Sequence, residues 1–227
     1  MTEARIIRIP LRFANSYLVA GEKTIIVDTG DPGFSRGILR AMQKNDIKKS
    51  DISLIFITHG HIDHYGSLFE LKKSIDVPVA IQRLDAPYLN QGVQAPLYPV
   101  NPVAGAVKLV GKNLKVKKRY GIKADIAFNN RVELEKYGIK GLILPTPGHT
   151  LGSASLFLPD GRAITGDLIV RKHLFRGKPC PAPFMHDRSR FNKSMNLLKG
   201  RGVKVIYPGH GGPINAGDIK PFIRIKV

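Results

Sequence analysis

The sequence has no tryptophan, a single cysteine and only 17 acidic residues in 227. The lone Cys180 cannot close an internal disulfide, which excludes a disulfide-stapled scaffold and fits a reducing compartment. It stands among prolines in KPCPAPF and reads as a loop thiol without a chemical role. No apolar run approaches the ~20 residues that a membrane-spanning helix needs. The opening segment carries Glu3, Arg5, Arg8 and Arg12 and has no unbroken apolar stretch. We therefore expect no secretory leader and a cytoplasmic location. Hydrophobic residues make up 43% of the chain, enough to build a core, so a disordered or collagenous chain is excluded.

Acid is scarce in particular places. Against 36 lysines and arginines the chain carries a formal charge of +19. No acid occurs between Asp85 and Asp125, a stretch that holds Lys108, Lys112, Lys115, Lys117, Lys118, Arg119 and Lys123. A second acid-free stretch runs from Arg188 to Gly217. Such a balance is either a solvated basic face or a surface for an anionic substrate, nucleic acid or acidic lipid.

Short β-branched runs predict strands at Ile6–Ile9, Tyr17–Val19, Thr24–Val27 and Ile52–Ile57, the last apolar enough to be buried on both faces. Later strands are predicted at Ile139–Leu144, Ala154–Leu158, Arg162–Thr165 and Val203–Tyr207, with Pro159-Asp160-Gly161 as a turn. Apolar spacing predicts helices over Phe34–Asn45 and Gly66–Ile75, and a third over Asp187–Leu198 that begins at an Asp cap. Strand blocks separated by helices, in two successive halves, indicate one α/β domain over 1–227. The segment 87–123 is rich in proline and glycine, then in lysine. We expect a basic insertion or lid there, built of short helices, with Val100–Leu114 packed down and its lysines in water.

Five of the seven histidines fall at strand ends or in the turns that follow: His59, His61, His64, His149 and His210. A strand ending in His-x-His can bring His59 and His61 onto one ion, and Asp63 and His64 continue around the turn to face a second. Imidazole with carboxylate suits a borderline divalent metal, zinc first, with iron or manganese as alternatives.

The string THGHIDHYGS resembles the HxHxDH motif of the metallo-β-lactamase superfamily, and four further elements follow its order: Asp28 in VDTG, His149 in TPGHTLGS, Asp167 in TGD and His210 in PGHGG. The resemblance implies a four-layer αββα sandwich and two metal ions. It places His59, His61 and His149 on the first ion, Asp63, His64 and His210 on the second, and Asp167 between them. Asp28 resembles the family acid that orients a ligand histidine, so Asp63 and Asp28 are the acids assigned to catalysis. A metal-bridging hydroxide would attack the substrate, with Asp63 or a bound water protonating the leaving group. His173, His186, Tyr65 and Tyr207 are the candidate rim groups, the first three assigned to substrate binding.

Departures narrow the branch. Zinc β-lactamases lack an acid at the Asp167 position and are exported. The interval from Asp167 to His210 is too short for the β-CASP insertion of the nuclease branch, and no glutamate replaces a motif histidine as in flavodiiron proteins. The segment 211–227 is too short for the C-terminal helical domain of glyoxalase II. The expectation is a promiscuous dinuclear hydrolase of the glyoxalase-II-like and lactonase-like group acting on an ester, thioester, lactone or phosphoester of a small molecule, with an anionic substrate in keeping with the basic charge. The alternative is an RNase Z-like nuclease, favoured by charge but opposed by the lack of a Gly/Pro-rich arm and by 7% aromatics. A non-enzymatic basic surface with a structural metal is the third reading, opposed by seven ligand candidates with no cysteine among them. No sequence element specifies an oligomeric state.

Overall fold

A computed structural model describes residues 3–111, 120–171 and 177–219. The first half runs β1 (Arg5–Pro10), β2 (Asn15–Ala20), β3 (Thr24–Val27), α1 (Ser35–Lys44), β4 (Ile52–Phe56), α2 (Ile62–Tyr65), α3 (Leu68–Lys72), β5 (Val79–Gln82), α4 (Ala86–Gln91), α5 (Pro102–Gly111) and β6 (Ile126–Phe128). The second runs β7 (Val132–Glu133), β8 (Leu142–Pro145), β9 (Ala154–Phe157), β10 (Arg162–Gly166), β11 (Ile169–Arg171), β12 (Pro179–Pro181), α6 (Arg188–Gly200), β13 (Val205–Pro208) and β14 (Ile214–Asn215). Strands β1 to β6 form one sheet in chain order, and β14-β13-β10-β9-β8-β7 form the other; β11 and β12 make a separate hairpin.

Strand alternation builds the layers. Ile25, Val27, Leu54, Phe56 and Ala80 face the second sheet, where Ile143, Ala154, Leu156 and Ile164 meet them. The intervening Ile26, Ile55, Val79 and Ile81 point outward onto α1, α3 and α4, through Ile38, Met42, Leu68, Leu71 and Leu89. On the far side Phe157, Ala163 and Ile206 pack on Phe191 and Leu198 of α6. The order is helix, sheet, sheet, helix, the αββα sandwich. Both faces of β3 and β4 are covered, which is why their sequences are apolar at nearly every position, Thr24 and Ser53 excepted, rather than at every second one.

The predicted strands and helices fall close to the observed ones, with ends shifted by one to three residues in most cases. Asp187 caps α6 by accepting from the Arg190 amide at 2.9 Å, as the Asp signal indicates. The helix expected over Gly66–Ile75 is instead the short α3, preceded by α2, which begins inside the histidine motif. Cys180 lies in β12, opposite Val170, rather than in a loop.

The basic insertion also differs from expectation. It does form short helices, α4 and α5, but the apolar side chains of α5 do not all pack down: Val103 and Leu109 are among the most exposed of the large apolar residues. Lys108 is the group that turns inward, its Nζ donating to the Leu97 carbonyl at 2.7 Å. The rest of the lysine run, residues 112–119, lies outside the described residues.

Phe56 is wholly buried between the sheets, where its ring lies 6.3 Å from that of Phe128. Phe56→Ala leaves a cavity that neighbouring strands cannot fill and is expected to cost about 3–5 kcal/mol, read by chemical denaturation. A loss below about 1 kcal/mol contradicts this packing.

Candidate metal centre

Strands β3 and β4 are parallel, as are β10 and β13, and β8 shares the direction of β10. Their C-terminal ends therefore open on one edge of the sandwich. Asp28 follows β3, the motif His59–His64 follows β4, His149 follows β8, Asp167 follows β10 and His210 follows β13. Residues far apart in sequence are carried to one rim because each sits just beyond a strand of the same sense.

At that rim one potential ligand atom from each of His59, His61 and His149 lies within 4.8 Å of the others. His61 Nδ1 is 3.1 Å from His59 Nε2 and 2.9 Å from His149 Nε2. A second group of the same kind joins Asp63, His64 and His210, and a third joins His59, His64 and Asp167. Asp167 reaches both sides: its carboxylate is 3.7 Å from His149 Nε2, 3.4 Å from His64 Nε2 and 3.2 Å from His210 Nε2. Asp63 completes the second group, 3.4 Å from His210 Nε2 and 3.9 Å from His64 Nε2.

The outer ring nitrogens of four of the five imidazoles are tied to the protein, whereas His61 Nε2 is buried without a hydrogen-bond partner among the described residues. His149 Nδ1 donates to the Phe184 carbonyl and His210 Nδ1 to the Phe13 carbonyl, each at 2.7 Å. A carbonyl can only accept, so the proton sits on Nδ1 and the Nε2 lone pair faces the centre. Asp28 does the same for two rings. Its carboxylate accepts from His64 Nδ1 at 2.8 Å and from the Thr58 hydroxyl at 2.8 Å, while that hydroxyl lies 3.0 Å from His59 Nδ1. The Thr58 amide donates to its other oxygen. Asp28 holds a left-handed backbone, φ 57°, an uncommon conformation that a short polar residue tolerates. Asp28 itself belongs to none of the three groups.

Close approach also needs Gly209. A Cβ there would stand 2.3 Å from Asp167 Oδ1 and 2.6 Å from His64 Cε1. The turn that carries it is held from the first sheet: the Asn15 side chain and the Tyr17 hydroxyl both donate to the Pro208 carbonyl, at 2.9 and 2.6 Å.

The pattern of the Metallo-beta-lactamase superfamily matches residues 9–210. The chain belongs to the metallo-β-lactamase superfamily. It is 29% identical over 214 residues to a probable metallo-hydrolase of Methanocaldococcus jannaschii, with 94% of each chain covered. It is 27% identical over 213 residues to the probable metallo-hydrolase YflN of Bacillus subtilis, covering 86% of this chain and 78% of the relative. Among solved structures, the BLEG-1 B3 metallo-β-lactamase shares the fold at a TM-score of 0.71 and 18% identity, covering 97% of this chain and all of that one. TTHA1623 in a di-iron-bound form does so at 0.65 and 23%, covering 94% and 95%. At class level, membership makes the chain a metal-dependent hydrolase with a histidine-rich site.

Within that superfamily frame, the seven residues proposed from sequence as metal ligands are brought together. The rim assignments fare differently. Tyr65 is a correction: it is wholly buried against the first sheet, and its hydroxyl donates to the Val93 carbonyl at 2.7 Å, so it packs where a rim group would face solvent. Tyr207 is partly buried and packs edge-on to Tyr17 at 5.9 Å. His186 is exposed, edge-on to Tyr98 at 4.4 Å, and its amide donates to the Gly148 carbonyl beside His149. His173 lies outside the described residues. Sequence reasoning missed the carbonyls of Phe13 and Phe184, which no side-chain pattern announces, and the buried Asp85.

Burial, and then neighbouring imidazoles, push His59 and His61 down, His61 to about 3, and burial lowers His149. Burial also opposes charge on His64 and His210, but Asp28 and Asp167 outweigh it at His64, and Asp167 and Asp63 do so at His210, which rises to about 10. In the metal-free chain the first three rings are neutral when folded, whereas the unfolded chain protonates them below about pH 6.5, so acidification through that value favours unfolding. His64 and His210 stay protonated in the fold. Their contribution is complete below pH 6.5 and declines as pH rises toward their raised values. Metal-free protein is therefore expected to be most stable near pH 6.5. Thermal melts in chelator at pH 5, 6.5 and 8 check this, and a Tm that climbs steadily across the range contradicts it.

Proposed function

We propose that the chain is a dinuclear hydrolase of small-molecule esters, thioesters, lactones or phosphoesters, with His59, His61 and His149 holding one divalent ion, Asp63, His64 and His210 holding a second, and Asp167 shared. The observation that carries the reading is the inward convergence of these groups on one rim, with the outer nitrogens of His59, His64, His149 and His210 already bonded to the protein. The donor set fits the ions: the buried His64 Nε2 and Asp167 Oδ1 face each other at 3.4 Å without a hydrogen bond, an arrangement that a cation would relieve. Nitrogen and carboxylate donors without cysteine suit zinc first, and iron or manganese next.

Two such ions, when bound, acidify a water to a nucleophile near neutral pH and polarise the carbonyl or phosphoryl oxygen under attack. The chain's own residues do the rest. Asp28 and the Phe13 and Phe184 carbonyls hold their imidazoles in the tautomer that presents Nε2. Neutral His59, His61 and His149 need release no proton to accept an ion. Asp63 is the most solvent-reaching of the site carboxylates, at 27% exposed, which suits it to pass a proton to a leaving group.

The domain reading is one αββα domain over 1–227, with the 87–123 insertion as a pocket wall. Its first part is stitched to the histidine motif and to the segment that anchors His149: the Ala95 amide donates to the Gly60 carbonyl, the Ile62 amide to Gln94, and the Val100 amide to the Pro183 carbonyl next to Phe184. A wall fixed this way favours a compact substrate over a polymer. The metallo-hydrolase relatives support hydrolysis. The charge of +19 leaves an RNase Z-like nuclease as the second reading.

Metal-loaded protein assayed on a thioester, a lactone, a phosphotriester, a phosphodiester and a small RNA tests this. Turnover is expected on an acyl substrate and should fall at least about 100-fold in folded His61→Ala. RNA cleavage above all else would transfer the site to the nuclease reading. Full activity in His61→Ala would end the metal mechanism.

A further inference from the structure

Asp85 precedes α4 and is almost wholly buried, at 1% exposed, yet its carboxylate does not cap its own helix. Oδ2 accepts from the Gly60 amide at 2.7 Å and from the Thr150 hydroxyl at 2.6 Å, and Oδ1 accepts from the Gly152 amide at 2.9 Å. Gly60 stands between His59 and His61, and Thr150 directly follows His149. One carboxylate thus fastens the two loops that deliver all three imidazoles of the first cluster, one loop from each sheet. Its partners are two amides and a hydroxyl, and no lysine or arginine is ion-paired to it among the described residues.

The contact has shaped the sequence around it. A Cβ at Gly152 would lie 2.5 Å from both the Asp85 amide nitrogen and Oδ1, so the loop after His149 can settle on Asp85 only with glycine there. The carboxylate form matters as well. Both oxygens face donors, so an asparagine would set its NH2 against the Gly60 or the Gly152 N–H whichever way it turned.

We infer that Asp85 is a positioning residue for the first metal cluster: by cross-linking the Gly60 and Thr150–Gly152 loops it sets the spacing of His59, His61 and His149. This rests on the metal reading proposed above. The role is separate from that of Asp28, whose bonds reach ring nitrogens, since Asp85 acts on the backbone that carries the rings.

The test compares wild type, Asp85→Asn and Thr150→Val as full-length chains. Cobalt(II) and zinc affinities are measured by chelator competition, cobalt absorption spectra are recorded, and Tm is read with and without metal. Asp85→Asn is expected to weaken metal binding about tenfold, to shift the cobalt bands and to shrink the metal-induced rise in Tm. A merely structural role lowers both Tm values equally and leaves affinity and spectrum unchanged, and that result overturns the inference. Should Asp85→Asn not fold, the near-isosteric Thr150→Val decides: a severalfold loss of affinity supports the cross-link, and wild-type affinity overturns it. Wild type that takes up neither metal removes the metal reading and the inference together, whereas wild type that binds with Asp85→Asn its equal removes the inference alone.

Discussion

Five imidazoles and two carboxylates within a few ångströms of one another cannot all be desolvated at ordinary protonation states, and the molecule is organised around that constraint. Burial forces His59, His61 and His149 neutral, while Asp28, Asp63 and Asp167 keep His64 and His210 charged. The centre thereby splits into a neutral triad and a charged one before any ion enters. Asp167 lies between the two and answers to both. Such an arrangement is costly for the bare chain, so the surrounding fold must be rigid enough to hold it.

That rigidity comes from the seam between the sheets. Each ligand follows a strand whose side chains are packed on one or both faces, and the loops beyond those strands are bonded across the seam. Asn15 and Tyr17 hold the His210 turn from the first sheet, and the Ala154 amide donates to the Thr58 carbonyl from the second. The basic insertion continues the same scheme, since residues 94–100 bond both to the histidine motif and to the segment that anchors His149. In the proposed reading, the pocket wall and the metal cluster therefore share one network of bonds.

Much of this was legible in the residues, for identifiable reasons. Doubly buried β3 and β4 are written as nearly continuous apolar runs, and glycine-flanked histidines at strand ends stand out in any reading. Tyr65 shows where the reading failed. The sequence reading assigns it to the rim, but α2 begins at Ile62 and turns the tyrosine ring toward the core while His64 faces the centre. Asp85 left no signal because its importance lies in backbone amides brought together from both halves of the chain, and amides are the same in every sequence. The exposure of Val103 and Leu109 on α5 was misjudged because composition does not say which neighbours a helix will find.

The central claim is that ligands from both sheets form a single two-ion centre sharing Asp167. Elemental analysis of protein loaded with zinc and dialysed free of excess counts the bound ions per chain most directly. Two ions per chain is the predicted result. One ion or none, in a folded protein, would contradict the account.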